Sequence, residues 1–221
     1  MNRPTESFIV ESFATGHLGC NCTVVGDPVT RRGIIIDPGG EPEVIMDYVR
    51  GHRLSIERVY HTHAHLDHML ASQAIHGATQ AELFIHKADR FLWNGYLRQC
   101  ERLGIDGGEA PKAHGWIRDG ADLGCCGGTA LHTPGHTPGS VSFFFEPAAL
   151  LVAGDTLFQR GIGRTDLVGG SFEQIERSIK QRLFTLEERT RVITGHGPET
   201  TIGYEREANP FFGVTAGTRL L

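Results

Sequence analysis

Short apolar runs separated by turns rich in glycine and proline recur along the whole chain. Only a few stretches carry the three-to-four-residue spacing of an amphipathic helix. Ser7–Phe13, Thr23–Val25 and Gly33–Ile36 read as strands, the third closed by Asp37-Pro38-Gly39-Gly40. Pro42 then opens a helix to about Arg50, with Val44, Ile45, Tyr48 and Val49 at helical spacing. Val59-Tyr60 predicts a short strand, Met69–His76 a helix and Glu82–Ile85 another strand. The stretch from Lys87 to Gly120 is less regular; Phe91, Leu92, Trp93, Tyr96 and Leu97 fit one helical stripe that either packs on a sheet or covers a cleft. Strands follow near Trp116-Ile117 and at Thr129–His132, Val141–Phe145 and Leu150–Ala153. Ser171 reads as the N-cap of a helix to Leu183, Arg191–Thr194 as the last strand and Thr201–Ala208 as the last helix. Interleaving of this kind predicts two sheets with helices packed outside. No repeat, low-complexity linker or break in composition divides the chain, so a single domain over 1–221 is expected.

Composition narrows the function. With 21 Lys and Arg against 26 Asp and Glu the net charge is −5, and the longest basic cluster is Arg31-Arg32, which excludes a nucleic-acid footprint. No apolar run approaches the roughly 18 residues that span a bilayer. Met1–Ser7 is polar and lacks the apolar core of a signal peptide, so no membrane partner and a cytoplasmic location are expected. No feature specifies an oligomeric state. The five cysteines are too few and too irregular for a disulfide framework. Cys20, Cys22, Cys125 and Cys126 read as small apolar side chains in a reducing compartment, with a zinc site built from them as the lesser alternative. Twelve histidines are many for such a chain, and they are clustered.

The chemistry concentrates in Thr62-His63-Ala64-His65-Leu66-Asp67-His68, which follows an apolar strand and precedes a helix. A tight loop there can turn His63 and His65 toward one point and Asp67 and His68 toward another. One metal would not need all four side chains, whereas two neighbouring metals would. Three later residues sit at strand ends beside glycine: His136 in Thr-Pro-Gly-His-Thr-Pro-Gly-Ser, Asp155 in Ala-Gly-Asp-Thr and His196 in Thr-Gly-His-Gly-Pro. Glycine lets the backbone approach a site closely.

These segments, in this order, resemble the metallo-β-lactamase superfamily over about residues 8 to 212. The resemblance implies an α+β fold, the αββα sandwich of two mixed sheets with helices on the outer faces, and a binuclear metal site at one edge. It assigns His63, His65 and His136 to one metal and Asp67, His68 and His196 to the second, with Asp155 bridging. Asp37 matches the aspartate that braces the metal loop from behind. The cofactor it implies is a pair of divalent ions, zinc first, with iron or manganese compatible with the same donors.

Within the superfamily, Gly154–Phe158, Gly161–Leu167 and Gly195–Thr201 resemble glyoxalase II and its short single-domain relatives. The implied activity is hydrolysis of a small-molecule thioester of acyl-glutathione type, such as S-lactoylglutathione. A hydroxide bridging the metals is the nucleophile, and the catalytic Asp67 orients it. There are two departures. The chain stops at Leu221, where two-domain glyoxalase II continues into a basic helical domain. Arg164 and Asp166 stand where glyoxalase II has lysine and tyrosine. Arg164 is therefore the candidate for binding a substrate carboxylate, its rival role being to brace its own loop through Asp166. The alternative chemistry is that of a mononuclear iron persulfide dioxygenase, whose Gly-Arg-Thr-Asp segment matches Gly163–Asp166 and whose iron would be held by His63, His136 and Asp155. His61 and His132 match no ligand position, and His17, His52, His76, His86 and His114 read as surface or satisfied core histidines.

Overall fold

The computed structural model describes residues 8–214 and 216. Six strands form the first sheet in the order β1 (Ile9–Thr15), β2 (Cys20–Gly26), β3 (Arg32–Ile36), β4 (Ser55–Tyr60), β5 (Glu82–His86) and β6 (Gly115–Ile117). β1, β2 and β3 pair antiparallel with one another, and β3 to β6 pair in parallel. The parallel crossovers carry helices: α1 (Pro42–Gly51) between β3 and β4, α2 (Ser72–Thr79) between β4 and β5, and α3 (Arg90–Trp93) with α4 (Tyr96–Leu103) before β6. The second sheet has the order β13 (Thr200–Thr201), β12 (Arg191–Thr194), β9 (Leu150–Gly154), β8 (Val141–Phe145) and β7 (Gly128–His132), with β12 and β9 parallel. Helices α5 (Phe172–Ser178), which continues into a wider turn to Leu183, and α6 (Ile202–Ala208) belong to this half.

Alternation along the central strands builds the layers. In β3, Ile35 packs with Ile45, Val49 and Ile75 under α1 and α2, while Ile34 and Ile36 turn to Phe143, Phe145, Leu150 and Val152 of the other sheet. In β9, Leu151 and Ala153 pack on Ile175, Ile179, Leu183 and Ile202, and Leu150 and Val152 face the first sheet. Each central strand is thus apolar on both faces, as a strand between two layers must be. The result is the αββα sandwich that the resemblance implied.

The expected elements are present with shifted ends. Ser7, where the first strand was expected to begin, lies outside the described residues. Ser171 caps α5, its hydroxyl accepting from the Gln174 backbone at 3.3 Å. The helix expected at Met69–His76 is a 3₁₀ turn at Leu66–His68 followed by α2. The aromatic stripe is not one helix: the chain breaks between α3 and α4 at Asn94-Gly95, glycine being a poor helix interior residue. Trp93 and Tyr96 are buried in the core and donate to the Pro111 and Gly107 carbonyls, so they pack on the sheet rather than cover a cleft. A small hairpin, β10 (Leu157–Phe158) with β11 (Gly161–Ile162), was not expected; two-residue strands carry no periodicity.

His86 and His132 stack with ring centroids 4.1 Å apart. Burial first, and His132 second, push the His86 imidazole down to about 4, with Asp119 opposing. A histidine depressed in the folded state favours folding above its unfolded value and loses that contribution as pH falls. The melting temperature should therefore decline between pH 6.5 and about 4 less steeply in His86→Gln than in the wild type. Parallel slopes over that window would contradict the assignment.

Candidate metal centre

The seven candidate side chains leave from the same edge of the sandwich. β4 runs into the loop carrying His63, His65, Asp67 and His68; β7 leads to His136; β9 ends at Asp155; and β12 ends at His196. Parallel strands put their carboxyl ends together, which is where such sheets build sites. Gly195 has no side chain because a Cβ there would strike the Asp155 carboxylate and the Gly154 backbone.

Three overlapping donor sets result, each with ligand atoms within 4.8 Å of one another: His63, His65 and His136; Asp67, His68 and His196; and His63, His68 and Asp155. His65 Nδ1 lies 2.9 Å from His136 Nε2, and His68 Nε2 lies 3.3 Å from His196 Nε2. Asp155 reaches both sides, its Oδ2 3.5 Å from His136 Nε2 and its Oδ1 3.4 Å from His68 Nε2. Asp67 Oδ2 lies 3.1 Å from His196 Nε2 and 3.6 Å from His68 Nε2.

Outer partners fix the tautomers, and with them the direction of the lone pairs. Asp37, in the left-handed region at φ 52°, accepts from the Thr62 backbone at 2.7 Å, from the Thr62 hydroxyl at 2.6 Å and from His68 Nδ1 at 3.0 Å. Because the Thr62 hydroxyl gives its proton to Asp37, it accepts from His63 Nδ1 at 3.1 Å. His136 Nδ1 donates to the Arg164 carbonyl at 2.8 Å, and His196 Nδ1 to the Leu18 carbonyl at 3.1 Å. With Nδ1 engaged outward, the Nε2 atoms of His63, His68, His136 and His196 all turn inward, facing one another and the carboxylates. His63 Nε2 and Asp155 Oδ1 are buried without any hydrogen-bond partner. Bare acceptors crowded together out of water are costly unless a cation sits among them, so the residues present fit bound metal.

Electrostatics agree. Burial, reinforced by the neighbouring imidazoles, pushes His63 well below the usual histidine range, and His65 goes down to about 4 through burial and His136. Both therefore present neutral imidazole, the form that binds metal. Burial would lower His68 as well, but Asp155, Asp37 and Asp67 outweigh it and raise it above the usual histidine range, so a cation that binds at Nε2 does so by displacing a proton. Burial would raise Asp67, yet His68 and the His196 hydrogen bond keep it ionised. The carboxylates of Asp67 and Asp155, with Asp37 behind His68, gather negative charge where a cation would bind.

Arg164 is exposed at the rim and forms a two-pronged ion pair with Asp166, with Nε and Nη2 each 2.9 Å from a carboxylate oxygen. Its carbonyl, not its guanidinium, touches the donor set. The histidines expected to stay out do so: His61 is buried between the Phe84 carbonyl and the Ser72 hydroxyl, and His132 bonds the Pro138 carbonyl. No group of potential metal ligands among the described residues joins Cys20 or Cys22 to Cys125 or Cys126.

Sequence reasoning missed three supporting residues. Cys20 Sγ lies 3.3 Å from His68 Nδ1. Asp89, buried, accepts from Ala64 N, Thr137 Oγ1 and Gly139 N and so ties the first histidine loop to the His136 loop. Asn21 donates through Nδ2 to the Thr194 and Gly197 carbonyls, both at 2.9 Å, and its backbone donates to Gly195 at 2.8 Å, clamping the His196 loop. An asparagine between two buried cysteines in a strand was the available signal, since asparagine is depleted in strands. Asn21→Ala should weaken cation binding on the His196 side by about 10–100-fold, the range for loss of an outer partner. The His63–His65–His136 side should be unaffected, which a stepwise metal titration reads; equal weakening of both steps would contradict the one-sided clamp.

The profile of the metallo-β-lactamase superfamily matches residues 15–196. The chain is 40% identical over 181 residues to the probable metallo-hydrolase YqgX of Bacillus subtilis, covering 80% of this chain and 86% of the relative. It is 34% identical over 195 residues to the hydroxyacylglutathione hydrolase GloC of Haemophilus influenzae, covering 86% and 92%. Among solved structures, TTHA1623 in a di-iron-bound form superposes with a TM-score of 0.85 at 33% identity, over 92% of this chain and all of the other. Fold, donor geometry and these similarities agree: the chain belongs to the metallo-β-lactamase superfamily and has the build of a metal-dependent hydrolase.

Proposed function

We propose that the protein hydrolyses thioesters of acyl-glutathione type, with S-lactoylglutathione as the representative substrate. The observation that carries this reading is the pair of complete donor sets sharing Asp155, one of His63, His65 and His136 and one of Asp67, His68 and His196. The similarity to the hydroxyacylglutathione hydrolase GloC supports the substrate class, and the di-iron form of TTHA1623 supports a two-metal centre. Zinc is the expected pair of ions, with iron or manganese also suited to imidazole and carboxylate. Bound divalent cations supply water acidic enough to lose its proton near neutral pH, together with positive charge that polarises a carbonyl.

The chain's own residues prepare that chemistry. Asp37 and Thr62 hold His68 and His63 with Nε2 turned inward. Asp67 turns Oδ2 toward His68 and His196, and its other oxygen accepts the proton of the attacking water. No protein nucleophile is used: burial pushes the Cys20 thiol up to about 12, so it stays protonated. Arg164 binds the substrate carboxylate through the donors left over from its pairing with Asp166. Arg164→Ala should raise KM about tenfold with kcat and metal content unchanged, as for loss of uniform binding. Metal loss without a KM change would instead mean that the residue only braces its loop. A cytoplasmic location is in keeping with this reading, because free thiols persist in reducing compartments.

Zinc-loaded and iron-loaded protein are to be assayed with S-lactoylglutathione by loss of thioester absorbance and release of free thiol. Hydrolysis supports the proposal. An absence of thioester turnover, with oxygen uptake on glutathione persulfide by protein holding one iron, would replace it by the dioxygenase reading.

A further inference from the structure

Two adjacent thiols take no part in the metal centre. Cys125 and Cys126 lie in the turn between β6 and β7, and their Sγ atoms are 3.1 Å apart. The turn is tightly closed: Gly128 N donates to the Cys125 carbonyl at 3.0 Å and Leu123 N to the Gly128 carbonyl at 2.9 Å. Gly124, Cys126 and Gly127 all have positive φ, 74°, 55° and 66°. For Cys126 that backbone is unfavourable, and the turn holds it there beside the Cys125 thiol. The turn is anchored from outside. Cys125 Sγ donates to the Arg32 carbonyl at 3.5 Å, and Arg58 and Tyr60 both donate to the Leu123 carbonyl. Cys125 is buried and Cys126 half-buried, so the pair has one face open to solvent.

This geometry distinguishes two fates for the thiols. A disulfide needs a sulfur–sulfur distance of about 2.0 Å and prefers Cα atoms about 5.5–6 Å apart, whereas neighbouring residues hold theirs at about 3.8 Å; a direct bond here would be strained and readily reduced. A single atom bonded to both sulfurs at about 2.3 Å needs them roughly 3.3–3.8 Å apart, close to what the turn already provides. The hydrogen bond from Cys126 also draws the Cys125 thiol down, with the Arg32 charge assisting against burial and Asp27.

We propose that Cys125 and Cys126 form a two-thiol capture site for one thiophilic atom, trivalent arsenic being the class that fits. The site lies at the Arg32 end of β3, whereas Asp37 and the metal centre lie beyond its Ile36 end, about 16 Å away at the rise of a strand. With phenylarsine oxide, two S–H groups and the As=O group give two As–S bonds and one water. Arsenic stays trivalent, the sulfurs are not oxidised, and no co-reactant is needed.

Reduced, metal-loaded protein is to be treated with one equivalent of phenylarsine oxide and read by intact mass. A one-to-one adduct is expected that survives excess 2-mercaptoethanol and is removed by 2,3-dimercaptopropanol. Cys126→Ser, at the half-buried position, should lose the adduct, as should Cys125→Ser, while Cys100→Ser should keep it. Circular dichroism of each variant checks folding, and Cys126→Ser alone decides if Cys125→Ser fails to fold. An undiminished adduct in folded Cys126→Ser, no adduct in wild type, or metal release accompanying the adduct would each overturn the proposal.

Discussion

Asp67→Ala should lower thioester turnover by about a thousandfold or more, in line with the loss of a positioned proton acceptor at a reacting centre. The side chain is placed for two tasks at once. Its Oδ2 lies 3.1 Å from His196 Nε2 and 3.6 Å from His68 Nε2, and His68 and His196 keep the carboxylate ionised. Removing it therefore takes away both a donor on the second side of the centre and the acceptor for the water proton. The fold should survive, because Asp67 belongs to a short 3₁₀ turn and to none of the three apolar clusters. Turnover, circular dichroism and metal content measured on one preparation check this. Asp67→Asn separates the tasks, keeping the shape and a neutral ligand while losing the proton acceptor. Wild-type turnover in either variant would show that the assigned role is wrong.

Asp37→Asn should cut cation affinity on the His68 side by about 10–100-fold and destabilise the fold by about 1–3 kcal/mol. The Asp37 carboxylate is buried and meets three donors, from the Thr62 backbone, the Thr62 hydroxyl and His68 Nδ1. An amide in its place turns an N–H₂ group toward at least one of them, leaving a buried donor facing a donor. His68 then loses the partner that keeps Nε2 free for a cation. Asparagine tolerates the left-handed backbone at this position, so the substitution removes the charge without forcing the turn. Melting of the metal-free protein reads the stability term and a metal titration reads the affinity term. Unchanged affinity would mean that His68 does not depend on Asp37.

The seven donor candidates were legible because each lies in a short run with its own chemistry. Three histidines and an aspartate crowd Thr62–His68, and His136, Asp155 and His196 each follow a glycine. The layers were legible too, because β3 and β9 are apolar at every position facing a core. What was not legible arises from contacts distant in sequence. Asn21 clamps a loop more than 170 residues away, and Asp89 joins two loops that flank it on either side. Neither residue sits in a periodic pattern or a motif, so only the folded arrangement reveals its task. The break between α3 and α4 follows from Gly95, a local signal that the continuous aromatic stripe masked. Arg164 stands between these cases: its loop position and its pairing with Asp166 were both readable, but which guanidinium donors that pairing leaves open depends on side-chain geometry that spacing does not encode.

The central claim is a two-cation hydrolase centre bridged by Asp155, and metal stoichiometry at saturation tests it most directly. Protein titrated with zinc, and separately with iron under anaerobic conditions, is to be analysed for bound metal and for anomalous scattering in crystals. The account predicts two cations per chain, one among His63, His65 and His136 and one among Asp67, His68 and His196, both in contact with Asp155. Binding that stays at one cation per chain under saturating metal would contradict it.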